Sequence, residues 1–369
     1  MNKTKLLVFH PALAPYRIDF FNGLNRYFNA KFFFSLDNVK DQKFNQEKLL
    51  NLINFSFNLL NRGFELKNRS IRFGIWKILK NENPEIVFCS EYSQITLSVI
   101  FYKHFVNPRL KVFIMSDDSI DLSIKRKGLR KYIRNISSKY ITGIIFPSNR
   151  ICNWYKENIT SKPKTLELPI VHDNEIFRNM LFEALPISEN YIKEYGLQGK
   201  KIFLFVGRLV ALKNLDFLIK SFSESKTKNE KLIIVGEGVE YIKLLNLVKE
   251  LKLEQFCVFT GRLEGEKLLA WYNIAQCFIL PSYKERFGAV VNEALLAGCK
   301  VLCSNLAGAS ELINTMNGHI FDPKDKIIFT NLLKETGSEI IKIELPIKLK
   351  PDLMPFTLNE KIDRLILNL

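Results

Sequence analysis

One pattern recurs along this chain and restricts what it can fold into: a short apolar run, a loop, then a stretch with helical spacing of apolar residues. In the first half the strand-like runs are Leu6–Phe9, Phe32–Phe34, Ile86–Phe88, Lys111–Met115, Gly143–Phe146 and Thr165–Leu168. Helix-like stretches lie between several of them, at Ile18–Phe28, Ile71–Lys80, Ile95–Phe105, Ile124–Tyr140 and Asn149–Asn158. The second half repeats the scheme with runs at Ile202–Val206, Leu232–Val235, Cys257–Phe259, Cys277–Leu280, Lys300–Cys303 and His319–Phe321. Its helices are expected at Leu215–Phe222, Val239–Leu251, Gly265–Ile274, Gly288–Ala297, Gly308–Ile313 and Ile327–Leu333. Such alternation predicts parallel sheets joined by crossover helices. Because it occurs twice, the expected class is α/β with two Rossmann-like domains facing each other across a cleft. The link from about Asp173 to Lys201 is polar and partly helical, with Pro186, Gly196 and Gly199. A boundary near residue 185 follows, giving domains at 1–185 and 186–350. Thr357–Leu369 reads as an amphipathic terminal helix, and Glu344–Pro355 before it carries three prolines, as a crossing loop would.

Length agrees, since 369 residues are many for one core and suitable for two domains. The composition, 47% apolar and 25% charged, is that of a folded chain. No apolar run approaches the roughly 20 residues needed to cross a bilayer. Met1-Asn-Lys-Thr-Lys leads directly into a strand without a leader pattern, so a cytoplasmic protein is expected. Six cysteines without C-x-x-C spacing and four scattered histidines predict buried reduced thiols and no zinc site.

The formal net charge of +16 calls for an anionic partner: nucleic acid, an acidic membrane surface or anionic substrates. Part of it is concentrated in Lys125, Arg126, Lys127, Arg130, Lys131 and Arg134. Leu129, Ile133 and Ile136 form a narrow apolar seam on the same stretch. A helix of that kind suits the surface of an anionic bilayer. The alternative is a basic solvated helix whose seam packs on a sheet. No nucleic-acid motif or platform of interleaved aromatic and basic residues is present, so nucleic acid is not an expected partner.

The chemistry-bearing residues cluster in the second half. Pro281-Ser-Tyr-Lys-Glu-Arg-Phe-Gly-Ala-Val-Val-Asn-Glu293 places Glu285 and Glu293 eight positions apart around Phe287-Gly288, between a strand and a helix. Loops leaving the carboxyl ends of parallel strands are where open α/β sheets bind ligands. A helix starting near Gly288 would direct backbone N–H groups into that crevice and favour an anion. The two carboxylates then suit hydroxyl-rich groups on either side of it, as in a nucleotide sugar. Gly207-Arg-Leu-Val-Ala-Leu-Lys213 follows another strand: the glycine permits close approach, and Arg208 and Lys213 suit phosphate oxygens. Val235-Gly-Glu-Gly238 is only half a dinucleotide fingerprint, and Phe9-His-Pro-Ala-Leu-Ala-Pro-Tyr-Arg17 has no glycine. An NAD-binding reading and a P-loop are therefore both rejected.

These motifs, with Phe259-Thr-Gly261, Ala297-Gly298, Gly308-Ala-Ser-Glu311 and Asn317-Gly318, resemble in order and spacing the family-4 retaining glycosyltransferases of GT-B type. The resemblance covers residues 201 to about 323 and extends more weakly to Pro11–Arg17, which is similar to the opening loop of members that build bacterial surface polysaccharides. It implies a donor site in the second domain for a nucleotide-diphosphate sugar, with no metal and no bound cofactor. Arg208 and Lys213 would hold the diphosphate, with Gly207 and Gly236 beside it; Glu285 would bind the sugar. Phe287 and Gly288 amides would meet the sugar-phosphate end, Glu293 the ribose, and Phe259 to Arg262 the base. The resemblance also implies that 351–369 packs back on the first domain. Many members carry a histidine after the fifth strand of that domain; here Met115-Ser-Asp-Asp-Ser119 offers Asp117 or Asp118. The first domain is expected to bind the acceptor through Tyr16, Arg17, Glu91 and Tyr92, the acceptor being a lipid-linked oligosaccharide and the enzyme peripheral on the inner membrane face. A nucleotide-sugar epimerase and a non-catalytic nucleotide-sugar-binding partner are the rival readings.

Overall fold

The computed structural model describes residues 3–38, 44–66 and 69–369, which form two compact units. The first comprises residues 1–171 and 358–369, the second 172–357. Strands of the first unit are β1 Lys5–His10, β2 Asn29–Phe34, β3 Phe57–Leu59, β4 Gly63–Leu66, β5 Arg69–Arg72, β6 Ile86–Ser90, β7 Lys111–Met115, β8 Gly143–Phe146 and β9 Lys164–Glu167. Seven of them make one sheet in the order β3-β2-β1-β6-β7-β8-β9, every pair parallel; β4 and β5 form a separate antiparallel hairpin. In the second unit β10 Lys201–Val206, β11 Glu230–Val235, β12 Cys257–Gly261, β13 Cys277–Leu280, β14 Lys300–Ser304 and β15 Gly318–Phe321 pair in the order β12-β11-β10-β13-β14-β15, again all parallel.

Helices cover both faces of a doubly wound sheet, so its strands are continuous apolar runs. Leu6, Val8, Val87, Phe88, Phe113 and Ile144 in the first sheet, and Ile202, Leu204, Ile233, Phe278 and Ile279 in the second, have no accessible surface. In each sheet the order reverses where the first strand lies beside the fourth, β1 against β6 and β10 against β13. Adjacent loops there leave in opposite directions and open a crevice at the carboxyl ends.

Several boundaries differ from the sequence expectation. The helix expected at Ile71–Lys80 starts at Ile75, because Ile71 and Arg72 pair with β4 and Gly74 takes a left-handed φ of 82°. The long helix expected at Ile124–Tyr140 is two, Ile120–Lys125 and Gly128–Tyr140, and Gly308–Leu312 is a 3-10 turn. The division between units falls at Val171, ahead of helices Asn174–Glu183 and Leu185–Glu194. Those helices pack in the second unit, where Asn273 donates to the Leu181 carbonyl at 2.7 Å and Ser188 to that of Ala270 at 3.3 Å.

The terminal helix Leu358–Leu367 belongs to the first unit. Its Ile362 is fully buried and meets Gly23 so closely that a Cβ there would stand 2.3 Å from the Ile362 Cδ1. Tyr27 donates to Asp363 at 2.6 Å, and Lys361 pairs with Glu167 at 2.6 Å. The Pro-rich segment before it is tied to the second unit: Lys350 donates to the Asn273 carbonyl at 2.5 Å, and the Leu353 amide to that of Leu295 at 3.0 Å. Ile362→Ala removes a buried branched side chain that nothing nearby can replace. It is expected to cost about 2–5 kcal/mol, read as a lower midpoint in the thermal or denaturant unfolding of the first unit.

Candidate active site

In the second unit the reversal between β10 and β13 collects the predicted cations and one predicted acid. The loop after β10 carries Gly207, Arg208 and, in a 3-10 turn, Lys213; the loop after β13 carries Glu285, Phe287 and Gly288. Lys213 and Glu285 form an ion pair, both side chains more than four-fifths buried. The Tyr283 amide donates to the Leu212 carbonyl at 2.9 Å, which fastens the two loops together. Arg208 is exposed at the rim, and among the described residues no carboxylate pairs with it. Two glycines make the site possible. A Cβ on Gly236, after β11, would stand 1.9 Å from the Gly207 carbonyl oxygen, so only two bare backbones can meet there. Gly288 has φ 97° at the start of helix Ala289–Leu296, and a Cβ on it would press on Leu280 at 2.8 Å and Glu285 at 3.2 Å. The first amides of that helix lack intrahelical acceptors and lie next to the Lys213–Glu285 pair in the chain's path. Phe287 itself is buried and accepts at its carbonyl from the Ala309 amide at 2.7 Å.

The remaining predicted donor residues are distributed around this centre. Glu293 lies within the helix, not at its mouth: one oxygen accepts from Tyr272 at 2.8 Å and the other stands 3.7 Å from His172. Burial and the adjacent Glu293 raise the Tyr272 hydroxyl well above its usual range, so it remains a donor. His172 stacks on Phe177 at 4.9 Å, and its amide donates to Asn292 at 2.8 Å. Proximity of His172 to Glu293 had no sequence signal, because 121 residues of chain separate them. Phe259 packs edge-on against Tyr241 at 5.7 Å. Arg262 pairs with Glu264 at 2.5 Å and Glu237 at 3.4 Å, which links the loops after β11 and β12.

In the first unit a second polar cluster occupies the matching reversal between β1 and β6. Arg17, in the first turn of helix Pro15–Tyr27, is buried and pairs with Asp117, while its Nε has no partner among the described residues. Beside it the His10 Nδ1–H donates to the Ala12 carbonyl at 2.9 Å. Burial, then Arg17, lowers its pKa to about 4, so it is neutral at pH 7. Asp118 turns inward to Arg126 at 2.7 Å and Ser123 at 3.2 Å, whereas Asp117 keeps 28% of its side chain exposed. Of the two aspartates, Asp117 is the one open to a ligand. Glu91 leaves β6 with φ 54°, a left-handed conformation rare for a side chain of this kind. Its carboxylate accepts from the Asp117 amide at 3.1 Å and Arg126 at 3.2 Å. Tyr92 bonds Tyr155 at 2.9 Å instead of standing free, and Tyr16 is exposed.

Two basic residues expected on a membrane-facing surface are placed elsewhere. Arg126 is folded onto Glu91 and Asp118, and Arg134 is 2% exposed, donating to the Ser123 carbonyl at 2.9 Å. Both were drawn inward by polar partners that helical periodicity does not register. Lys125, Lys127, Arg130 and Lys131 are exposed. All six cysteines are buried, and none forms a disulfide. Among the described residues no group of three or more His, Cys, Asp or Glu is placed to hold a metal, and no helix is long and apolar enough to cross a membrane.

Comparison with known proteins follows the same division. Residues 187–336 match the family model described as Glycosyl transferases group 1. A Campylobacter jejuni relative, named as the N-acetylgalactosamine-N,N'-diacetylbacillosaminyl-diphospho-undecaprenol 4-alpha-N-acetylgalactosaminyltransferase, is 36% identical over 129 residues, 34% of each chain. The alignments span about a third of the length of the curated relatives they match. Whole-chain likeness is structural. The Anabaena HepE structure in complex with UDP superposes with a TM-score of 0.72 at 14% identity, over 99% of this chain and 100% of that one. The lipopolysaccharide outer core galactosyltransferase WaaB gives 0.67 at 17% identity, over 99% of both chains. The fold is that of the GT-B glycosyltransferases.

Burial, reinforced by Asp118 and Asp117, raises the Glu91 pKa from 4.5 to about 7, although 39% of its side chain is exposed and solvent screens part of the effect. The folded state therefore holds this proton more tightly than the unfolded one, and its contribution to stability is lost as pH rises from about 4.5 to about 7. Glu91→Gln is expected to flatten that part of the stability profile, measured as melting temperature against pH for the variant and the parent chain.

Proposed function

We propose that this chain, whose residues 187–336 are similar to a glycosyl transferases group 1 domain on a GT-B fold, is a retaining glycosyltransferase that uses a nucleotide-diphosphate sugar. The Lys213–Glu285 pair at the β10/β13 reversal carries the reading, because it sets a cation and a carboxylate side by side where this sheet accepts ligands. A diphosphate offers Lys213 several anionic oxygens, and Arg208 at the rim has no competing carboxylate among the described residues. As Lys213 engages the diphosphate, Glu285 is left to accept from hydroxyls of the sugar. The close approach of Gly207 and Gly236 keeps side chains away from the strands' ends there, which suits a nucleotide lying against bare backbone.

The bond between the anomeric carbon and the phosphate oxygen breaks, and one from the acceptor oxygen to that carbon forms on the same face. The acceptor's proton passes to the departing phosphate oxygen. Arg208 and Lys213 stabilise the charge that accumulates on the nucleotide diphosphate, the electrostatic share of the rate. The mechanism invokes no metal, since two cationic side chains supply the neutralisation. In the first unit Asp117, held by Arg17, and Glu91 are the acceptor-side groups, positioned to accept from hydroxyls. A lipid-linked saccharide is the proposed acceptor class and assembly of a bacterial surface glycan the proposed setting. Support comes from the Campylobacter relative named for a diphospho-undecaprenol acceptor and from an Escherichia coli relative named as an O-antigen chain mannosyltransferase.

Arg208→Ala, Lys213→Ala and Glu285→Gln should each lower turnover by about 10²–10³-fold with the melting temperature within a few degrees of the parent chain. Product formation from a radiolabelled nucleotide sugar and a polyprenyl-diphosphate saccharide reads this directly. Undiminished transfer in all three variants, or release of an epimerised free sugar without any acceptor, would remove the assignment.

A further inference from the structure

Glu293 is held from two sides, and neither holder belongs to the loops that carry Arg208, Lys213 and Glu285. Tyr272, in the last turn of helix Glu266–Ile274, has no accessible surface. Its hydroxyl donates to one Glu293 oxygen at 2.8 Å and has no other partner among the described residues. The ring lies beside Phe278 at 6.0 Å, and the Tyr272 carbonyl takes the Lys350 ammonium at 3.2 Å. Tyr272 is therefore a fixed donor, since a buried phenol with a raised pKa stays protonated and has no water to turn to.

His172 bounds the other oxygen. Its Nε2 stands 3.7 Å from Oε1, too far for a hydrogen bond but near enough to limit where that oxygen can go. The imidazole is itself held, stacked on Phe177. Its backbone amide donates to Asn292, the residue before Glu293 on helix Ala289–Leu296. Asn292 is fully buried, so the helix that carries the carboxylate also fixes the distance to the imidazole. Between these neighbours the Glu293 side chain keeps 19% of its surface exposed. A carboxylate offers about four acceptor directions, and Tyr272 takes one. Two oxygens in a settled plane remain for a ligand that brings paired donors.

A glutamate that is ordered only on binding loses its rotamer freedom at that moment, whereas one ordered in advance does not. Glu293 follows Gly288 by five residues, about 7.5 Å along the helix. That is the scale of one pentose lying between a phosphate at the helix start and its own vicinal hydroxyls. We propose that Tyr272 and His172 are positioning residues, which hold the Glu293 carboxylate as a two-oxygen acceptor for the 2′- and 3′-hydroxyls of the donor's ribose. The site then separates ribonucleoside from 2′-deoxyribonucleoside diphosphates, because the deoxy form leaves one charged oxygen without its donor. The inference rests on the nucleotide-sugar reading above and extends it to two residues that act through Glu293.

Isothermal titration calorimetry of the full chain with UDP, GDP and ADP, each against its 2′-deoxy form, tests it. The ribonucleotide that the parent chain binds should bind about tenfold tighter than its deoxy form. Tyr272→Phe keeps the ring and removes only the donor, and His172→Leu keeps an apolar contact for Phe177. Each should narrow the ratio by about threefold or more, through weaker binding of the ribonucleotide alone. With the UDP-, GDP- or ADP-glucose that this preference selects, KM should rise severalfold while kcat stays within about twofold. Equal weakening of both forms, a fall in kcat at constant KM, or an unchanged ratio in the two variants would overturn the proposal. Lys213→Ala should weaken ribo and deoxy forms alike, which keeps the two readings separable. A parent chain that binds none of the three nucleotides would overturn both, whereas an unchanged ratio alongside an impaired Lys213→Ala would overturn this one alone.

Discussion

The chemistry of the second unit depends on one constraint: strand order reverses between β10 and β13, and the loops that part there are bound by the Lys213–Glu285 pair. Parallel strands bring every carboxyl end to the same edge, so Gly207, Gly236, Gly261 and Glu285 share a rim despite spanning almost eighty residues of sequence. The glycines matter because bare backbones approach one another where a methyl group would collide with a carbonyl. In that setting a mostly buried ion pair costs desolvation on both partners. A ligand with its own negative charge and hydroxyls can take over each partner's contact.

The first unit repeats the architecture with different chemistry. Its β1/β6 reversal gathers three carboxylates and two guanidinium groups, Arg17 on Asp117 and Arg126 on both Glu91 and Asp118, with a neutral His10 beside Arg17. Glu91 has a pKa raised by burial and then by the neighbouring Asp118 and Asp117 carboxylates, and its backbone is left-handed. Asp118 is bound inward by Arg126, which leaves Asp117 as the more accessible acid. Charge is also divided unequally between the units, with the excess on the first. The inverted helix Gly128–Tyr140 belongs to that half, burying Arg134 and two serines while its leucine and tyrosines face out.

Much of this was legible in the residues. Fully buried parallel strands are continuous apolar runs, so Lys111–Met115, Gly143–Phe146 and Cys277–Leu280 could be bounded to the residue. The β4–β5 hairpin and the three-residue β3 were not foreseen, because so short and exposed a segment carries no period to read. The motif residues Arg208, Lys213 and Glu285 declared themselves by following predicted strands, whereas the partnership of Glu293 with Tyr272 and His172 left no local trace. The basic segment misled in part: six cations looked equivalent in sequence, yet Arg126 and Arg134 were claimed by interior partners.

The sequence by itself determined two doubly wound α/β halves and the residue types at their strand ends, since hydrophobic period and glycine placement are local properties of the chain. Only the tertiary structure decided which charges meet: that Lys213 faces Glu285, that Asp118 is spent on Arg126 while Asp117 stays open, and that a helix would turn its apolar stripe outward. Those outcomes depend on distances between segments far apart along the chain, and no local pattern encodes such distances.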